Sequence, residues 1–207
     1  MKRLRVLVAC EFSGIVRDAF IERGHDAMSC DLLPTERPGP HYQGDVFDII
    51  NDGWDLMIAH PPCTYLSYAA TKYWNQPGRD KKREEALNFF LKLFRAPIPK
   101  IAIENPVGYP NTVFRKPDQI VNPFNFGDPE RKAICLWLNN LPTLFYTKPN
   151  ELFTDITHVE KPGPTYIDKS GKARYFTDAI IGFSKDAQKR RSRFFPGIAK
   201  AMATQWG

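Results

Sequence analysis

The first thirty residues combine apolar runs with a helical pattern. Arg5–Ala9 is a short apolar run of strand type, and apolar residues then recur at helical spacing over 15–24. A tight turn over 11–14 separates these two segments. A second strand is predicted over 26–30 and ends at Asp31. A strand, a helix and a strand in this order are typical of the start of a doubly wound sheet.

The rest of the chain continues this alternation, and prolines mark the ends of several elements. The predicted elements are, in chain order, a loop over 33–42, a strand over 54–59, a helix over 81–94, a strand over 101–103, an irregular region over 107–132, a strand over 133–138 and an amphipathic helix over Pro196–Trp206. We therefore expect an α/β protein with a Rossmann-like, mixed and mostly parallel sheet that has helices on both faces.

Length and composition indicate one soluble globular domain. The 207 residues are 43% apolar and 25% charged, and a chain of this length can fold without a disulfide or a metal. It has no apolar run of about 18 residues and no signal-peptide core, so we expect a cytoplasmic protein that does not bind membranes. The four cysteines, at positions 10, 30, 63 and 135, are isolated. Their spacing indicates neither a disulfide framework nor a metal site.

Positive charge is concentrated in two clusters. The net charge is +6. One cluster lies at 79–83, and the second consists of Lys185, Lys189, Arg190, Arg191 and Arg193. Clustered Lys and Arg fit a nucleic-acid backbone, but a solvated helix face has the same composition. Charge alone leaves both interpretations open.

Polar residues follow the predicted strands at the points where ligands bind in doubly wound sheets. The second strand ends at Asp31, and a carboxylate there can accept hydrogen bonds from both hydroxyls of an adenosine ribose. A dinucleotide phosphate loop would need further glycines after Gly14, whereas 15–17 is Ile-Val-Arg. A phosphate-free adenosine ligand therefore fits better. Cys63 and Glu104 follow two later strands.

These motifs resemble, in their order and spacing, the DNA cytosine-5 methyltransferase family. The motifs are Phe12-x-Gly14, Asp31, Gly44-Asp45, Pro61-Pro62-Cys63 and Glu104-Asn105. The resemblance covers 4–138 and, more faintly, 195–202. It implies the Rossmann-like S-adenosylmethionine-dependent methyltransferase fold, with that molecule as cofactor. The implied cofactor contacts are Phe12, Ser13 and Gly14 in the turn, Asp31 at the ribose, Asp45 at the adenine, and Pro61.

Within this resemblance, Cys63 is the expected nucleophile. Carbon 5 of cytosine attacks a methyl sulfonium poorly, so a thiolate must first add to carbon 6. Glu104 would neutralise the charge on ring nitrogen 3, and burial could give it the raised pKa that this needs. Arg131 is the counterpart of a family arginine that steadies the base and a phosphate. The group that accepts the carbon 5 proton is not identifiable.

The resemblance also divides the chain. It implies a catalytic domain over 1–138 and 194–207, and a small basic region over 139–193 as a reduced target-recognition segment. Such a compact protein suggests a phage or prophage modification enzyme in a bacterial or infected host cell. We expect duplex DNA with a flipped cytosine as the partner, a possible homodimer, and phosphate contacts from Lys189, Arg190, Arg191 and Arg193.

Three alternatives remain. An exocyclic-amine methyltransferase would have Asn, Asp or Ser before the two prolines and an aromatic residue after them, where this chain has His60 and Cys63. The same cytosine chemistry could act on RNA, single-stranded DNA or a pyrimidine nucleotide. A non-catalytic nucleic-acid-binding protein could also keep the fold. His60 could tune Cys63, contact a ligand or be structural, and the aromatic residues over 65–74 could stack on a base.

Overall fold

The computed structural model describes residues 2–146, 159–175 and 193–207. Its main sheet has seven strands, β1 (Arg5–Ala9), β2 (Asp26–Asp31), β3 (His41–Gln43), β4 (Leu56–Ala59), β5 (Lys100–Pro106), β6 (Gln119–Val121) and β7 (Ile134–Asn139). Their spatial order is β3-β2-β1-β4-β5-β7-β6. The first five strands are parallel, while β7 is antiparallel to both β5 and β6.

Helices cover both faces of this sheet, because successive strand residues point to opposite sides. The helices are α1 (Ile15–Glu22), α2 (Arg79–Phe94), α3 (Pro110–Val113) and α4 (Pro196–Trp206). Val6 and Val8 of β1 share one core with buried residues of α1 and α4. Leu7 and Ala9 of the same strand share the other core with α2. The predicted α/β class and the mixed, mostly parallel, Rossmann-like sheet with helices on both faces are confirmed.

Most predicted elements lie where the sequence places them, and the differences have local causes. The strand β3 begins at His41, inside the predicted loop, directly after Pro40, which has no N–H to donate to a neighbouring strand. The predicted irregular region, 107–132, contains the single turn α3 and the three-residue edge strand β6. Strands this short have too few residues to show an alternating pattern.

Strand register brings the ends of four parallel strands to one edge of the sheet. Ala9 of β1 is opposite Cys30 of β2 and opposite Ala59 of β4. Ala59 is in turn opposite Ile103 of β5. The residues that follow these positions therefore lie side by side at the carboxyl edge, which is where the candidate site forms.

The C-terminal helix α4 closes one face. Trp206 is 2% exposed, and its indole N–H donates to the backbone carbonyl of Pro142 at 2.9 Å. A small separate hairpin joins β8 (Tyr166–Ile167) to β9 (Ala173–Arg174). The predicted division into 1–138 with 194–207 and 139–193 stays a prediction. No helix within 2–146, 159–175 or 193–207 is long and apolar enough to cross a membrane.

Candidate active site

A buried carboxylate closes the turn between β1 and α1. Glu11 is 4% exposed. Its carboxylate accepts hydrogen bonds from the backbone N–H groups of Val16 at 2.7 Å and Arg17 at 3.3 Å. The Ser13 hydroxyl donates to Glu11 at 3.0 Å and accepts from the N–H of Ile15 at 3.3 Å. Because the N-cap of α1 is a glycine, these two side chains supply the acceptors that a capping side chain would otherwise supply.

The predicted cofactor turn lies under the loop that follows β2. Phe12, Ser13 and Gly14 are buried. Gly14 has φ 74°, and a Cβ there would lie 2.5 Å from the Arg17 guanidinium, so only glycine fits. Arg17 is fully buried and donates to the backbone carbonyls of residues 37–38 at 3.1 and 3.2 Å. Arg17 therefore fixes this loop over the turn.

A cavity of about 230 Å³ lies at the carboxyl ends of β1 and β2. Two of the predicted cofactor residues, Asp31 and Asp45, line it together with apolar side chains that include Leu32, Val46 and Phe89. The second proline of the Cys63 loop, Pro62, also lines the cavity, while Pro61 is buried. Pockets for whole ligands measure about 300–1,000 Å³, so this cavity suits the size of a nucleoside moiety.

The chemistry of this lining fits the adenosine part of S-adenosylmethionine. Asp31 accepts from the N–H of Leu33 at 2.9 Å, and Asp45 from the N–H of Phe47 at 3.0 Å. Burial raises the pKa of Asp31, and nearby N–H groups offset this only in part. A ribose hydroxyl that donates to Asp31 would stabilise its charged form. The apolar part of the lining can cover a purine ring.

The loop that contains Cys63 is fixed to β5. Asn105 is 1% exposed, and its Nδ2 donates to the carbonyl of Pro61 at 2.8 Å. The Cys63 carbonyl accepts from the N–H groups of Leu66 at 3.0 Å and Ser67 at 2.9 Å. The loop is therefore held on both sides of the cysteine.

Exposure distinguishes Cys63 from the other cysteines. Cys63 is exposed, Cys10 is half-buried, and Cys30 and Cys135 are buried. Burial raises the pKa of the Cys30 thiol to about 12, and it also raises the pKa of Cys10 and of Cys135. These three residues stay protonated at neutral pH and are poor nucleophiles. Cys10 and Cys30 line the cavity, but Cys63 is the exposed cysteine at this edge.

Glu104 does not have the predicted raised pKa. Burial acts in that direction, but a hydrogen bond from His60 and the positive charges of Lys132 and His60 outweigh it, so the pKa of Glu104 is lowered. His60 Nδ1 lies 3.3 Å from Glu104 Oε2, and the two side chains are only 10% and 12% exposed. The prediction is wrong because the sequence does not show which basic groups face this carboxyl.

The loop after Cys63 packs against the first turns of α2. The Arg79 guanidinium carbon lies 4.6 Å from the ring centre of Tyr65. The Arg83 guanidinium carbon lies 4.6 Å from the ring centre of Trp74 and 5.1 Å from that of Tyr109. Two residues of the basic cluster at 79–83 therefore stack on aromatic rings of this part of the protein, a contact that stabilises the loop.

Arg131 contacts the segment that ends the β8–β9 hairpin. Its Nη1 donates to the Tyr175 hydroxyl at 2.5 Å, and its guanidinium carbon lies 4.5 Å from the centre of that ring. The charge that reaches Glu104 belongs to the next residue, Lys132. The predicted role of Arg131 at the base and phosphate stays a prediction.

The predicted phosphate contacts divide into two groups. Lys189, Arg190 and Arg191 lie outside the described residues. Arg193 forms a two-pronged ion pair with Glu36, at 2.8 and 3.0 Å, and this pairing raises the pKa of Arg193. Its guanidinium is therefore already bound within the protein.

Sequence reasoning missed the roles of Glu11, Asn105 and Lys132. A signal for Glu11 exists, because a helix that begins after a glycine needs acceptors for its first N–H groups. Asn105 was part of a motif, but only the structure shows its bond to Pro61. No sequence pattern indicates that the charge of Lys132 acts on Glu104, since Lys132 lies in the loop before β7 and Glu104 lies in β5.

No protein-family model matches this chain, and no curated protein matches it significantly. Among solved structures, it is similar to the Entamoeba histolytica methyltransferase EhMeth, with 14% identity, a TM-score of 0.47 and coverage of 79% of this chain and 59% of that one. The protein WbdD has 12% identity, a TM-score of 0.36, and coverage of 70% and 38%. The 16S rRNA methylase RmtB has 14% identity, a TM-score of 0.30, and coverage of 66% and 55%. This chain thus spans less than two thirds of the length of each.

Proposed function

We propose that this protein transfers a methyl group from S-adenosylmethionine to carbon 5 of cytosine in DNA. The observation that supports this most is the bond from Asn105 to Pro61, at 2.8 Å. It ties the loop of the exposed Cys63 to the strand of Glu104, and the cavity with Asp31 opens beside the same loop through Pro62. Cys63, the buried carboxyl of Glu104 and the nucleoside-sized cavity would therefore act together in the methyl transfer.

The order of bond changes follows from the residues present. Cys63 Sγ forms a bond to carbon 6 of the ring, and the displaced electron pair moves through the ring to nitrogen 3. Protonation at nitrogen 3 makes carbon 5 an enamine carbon, which is nucleophilic. S-adenosylmethionine, when bound, supplies the electrophilic methyl group. Loss of the carbon 5 proton then returns the electron pair and expels the Cys63 thiolate.

Glu104 is the residue proposed to assist at nitrogen 3. Its carboxyl is deeply buried beside His60, where a hydrogen bond to a substrate would meet little competition from water. Since the pKa of Glu104 is lowered, the carboxyl is ionised at neutral pH and cannot itself donate. The proton that reaches nitrogen 3 must therefore come from a group in contact with the Glu104 carboxylate.

The residues around the prolines favour carbon 5 over an exocyclic amine as the methyl acceptor. Amine methylation needs a polar acceptor before the prolines and an aromatic ring after them to hold the amino group. His60 is engaged with Glu104, and an exposed thiol stands at the second position. A thiol there has a direct role in carbon 5 chemistry and none in amine methylation.

Covalent trapping tests the proposal. DNA that contains 5-fluorocytosine, incubated with the protein and S-adenosylmethionine, should give an adduct through Cys63, because fluorine at carbon 5 blocks elimination. The adduct should be absent in Cys63→Ala and present in Cys10→Ala, which removes another cysteine at the same edge. Duplex DNA, single-stranded DNA, RNA and free nucleotide are compared as substrates. No adduct with any of them would overturn the mechanism, and an adduct with RNA alone would overturn the assignment to DNA.

A further inference from the structure

Among the described residues, three buried polar atoms near the ends of β4 and β5 lack hydrogen-bond partners, and two of them belong to His60 and Glu104, whose side chains are in contact. Within the described residues, no partner is found for His60 Nε2, Glu104 Oε1 or Asn105 Oδ1. Buried polar groups are nearly always paired in folded proteins, so unpaired ones at a strand end indicate a place for a ligand. All three belong to residues that hold or adjoin the Cys63 loop.

The contact between His60 and Glu104 fixes the donor and acceptor roles of the ring. An ionised carboxylate can only accept hydrogen bonds, so His60 Nδ1 must carry the proton directed at Glu104 Oε2, 3.3 Å away. The unpaired Nε2 then carries a second proton whenever the ring is charged.

Three further described side chains lie against this pair or act on it electrostatically. The Phe194 ring lies 4.6 Å from the His60 ring, centre to centre, and covers it with an apolar surface. Lys132 is the other positive charge that acts on Glu104. On β7, Cys135 is the titratable neighbour of Glu104, and burial raises the pKa of its thiol, so it stays neutral. Within the part of the chain that the structure describes, Glu104 is the carboxylate in contact with His60.

We infer that His60 is the proton donor to the cytosine ring and that Glu104 is its buried counter-ion. This inference rests on the proposed function. As Cys63 Sγ bonds to carbon 6, nitrogen 3 of the cytosine takes the proton from His60 Nε2. The imidazole, now neutral, keeps its Nδ1 proton and its hydrogen bond to Glu104. When the carbon 5 proton passes to a water molecule and the thiolate is expelled, nitrogen 3 returns its proton to Nε2. The protein ends with the protons it began with, and Oε1 of Glu104 stays available to accept a hydrogen bond from the base.

Nitrogen-15 NMR of the imidazole groups in the full chain tests the charge of this pair without requiring activity. The His60 signals are assigned by their loss in His60→Asn. We expect both His60 nitrogens to be protonated at pH 7 in the wild type. In Glu104→Gln the fraction of charged ring at pH 7 should be smaller than in the wild type, because the counter-ion has been removed. A neutral His60 ring at pH 7 in the wild type would overturn the inference.

Single-turnover methylation as a function of pH tests the donor role. His60→Asn and His60→Gln should reduce the rate by about 10²–10⁴-fold, the range of general acid catalysis, and should abolish the fall in rate at alkaline pH. In Glu104→Gln this fall should begin at lower pH. The control His25→Asn, at the amino end of β1 where the ring accepts from the N–H of Leu4, is at the other edge of the sheet and should keep the wild-type profile.

Two outcomes count against the inference in different ways. Full rates and an unchanged pH profile in both His60 variants would assign the histidine a structural role and overturn it. Failure of the wild type to methylate or trap any cytosine substrate would overturn the proposed function and the donor role with it. The NMR result then still shows separately whether the pair is ionised.

Discussion

Replacing Asn105 by leucine separates the stability of the fold from the geometry of the nucleophile loop. Leucine has the same number and branching of side-chain heavy atoms as asparagine, although it is bulkier, and it cannot donate to the Pro61 carbonyl, which now accepts the Nδ2 hydrogen bond at 2.8 Å. The loop of Cys63 would lose this connection to β5 but keep the contact between His60 and Glu104. The backbone of β5 itself would be unaffected, because its ladder with β4 uses only main-chain groups.

Two opposing contributions and the bulk of leucine set the expected change in the free energy of unfolding. Leaving the buried Pro61 carbonyl unpaired costs about 1–3 kcal/mol. The substitution also removes Asn105 Oδ1, a buried oxygen with no hydrogen-bond partner among the described residues, and this relieves a penalty of about the same size. These two contributions nearly cancel, but the bulk of leucine at a site that is 1% exposed costs about 1–3 kcal/mol, so we expect a net loss of at most about 3 kcal/mol. Misplacing a reacting group by about 1 Å can cost about 10²-fold in rate, so the rate of adduct formation at Cys63 should fall by about that factor.

Denaturant unfolding measures the stability, and the rate of trapping on 5-fluorocytosine DNA measures the function. Asn140→Asp is a matched control, since Asn140 makes the same kind of bond, to the Pro99 carbonyl at 2.9 Å, away from the site. Asn140 has φ 52°, which aspartate tolerates. The control should trap at the wild-type rate. Wild-type trapping by Asn105→Leu, or a loss of more than about 3 kcal/mol of stability, would refute the reasoning.

Three further predictions concern other parts of the site. A methyl group at Gly108 would overlap the backbone carbonyl of Leu66, in the loop after Cys63. Gly108→Ala should therefore cost about 1–3 kcal/mol of stability and slow the trapping reaction. The control Gly163→Ala, whose methyl group meets open space, should change neither the stability nor the trapping rate. The pKa of Asp31 is raised in the folded state, so ionisation of this carboxyl destabilises the fold as the pH rises through that pKa. Asp31→Asn should therefore melt at a higher temperature than the wild type at pH 7 but not at pH 2. Calorimetry should show that the variant binds S-adenosylmethionine at least about tenfold more weakly. Arg193→Gln breaks a half-exposed ion pair with Glu36 and should lower the free energy of unfolding by at most about 1 kcal/mol, less at high salt.

The fold could be predicted where local patterns and burial agree. The strand β1 and the helix α4 have the predicted bounds, Arg5–Ala9 and Pro196–Trp206, because an apolar run and an apolar helical face are visible in the sequence itself. The strand β6 could not be predicted. Its three residues form a strand only because Gln119 and Val121 pair with β7, and such pairing is a property of the folded chain.

The candidate site shows the same division between local and distant information. The position of Cys63 after a strand and two prolines is local, and its exposure is consistent with the predicted role. The charge state of Glu104 depends on His60 and Lys132, which lie 44 and 28 positions away in sequence. Burial alone predicts the opposite direction, so the error came from considering one physical effect where three act.

The carboxylate of Glu11 has a consequence for the class of ligand that can bind at the first turn. Enzymes that bind phosphorylated cofactors usually leave the first N–H groups of such a helix open for a phosphate. Here the N–H groups of residues 15–17 already donate to Glu11 and Ser13, and the next one donates to Gly14. The protein thus places its own carboxyl group where the phosphate would bind. A dinucleotide would find the N–H donors already hydrogen-bonded and a carboxyl group where its pyrophosphate would bind. The turn therefore disfavours pyrophosphate because its donors are already used, and not because the space is too small.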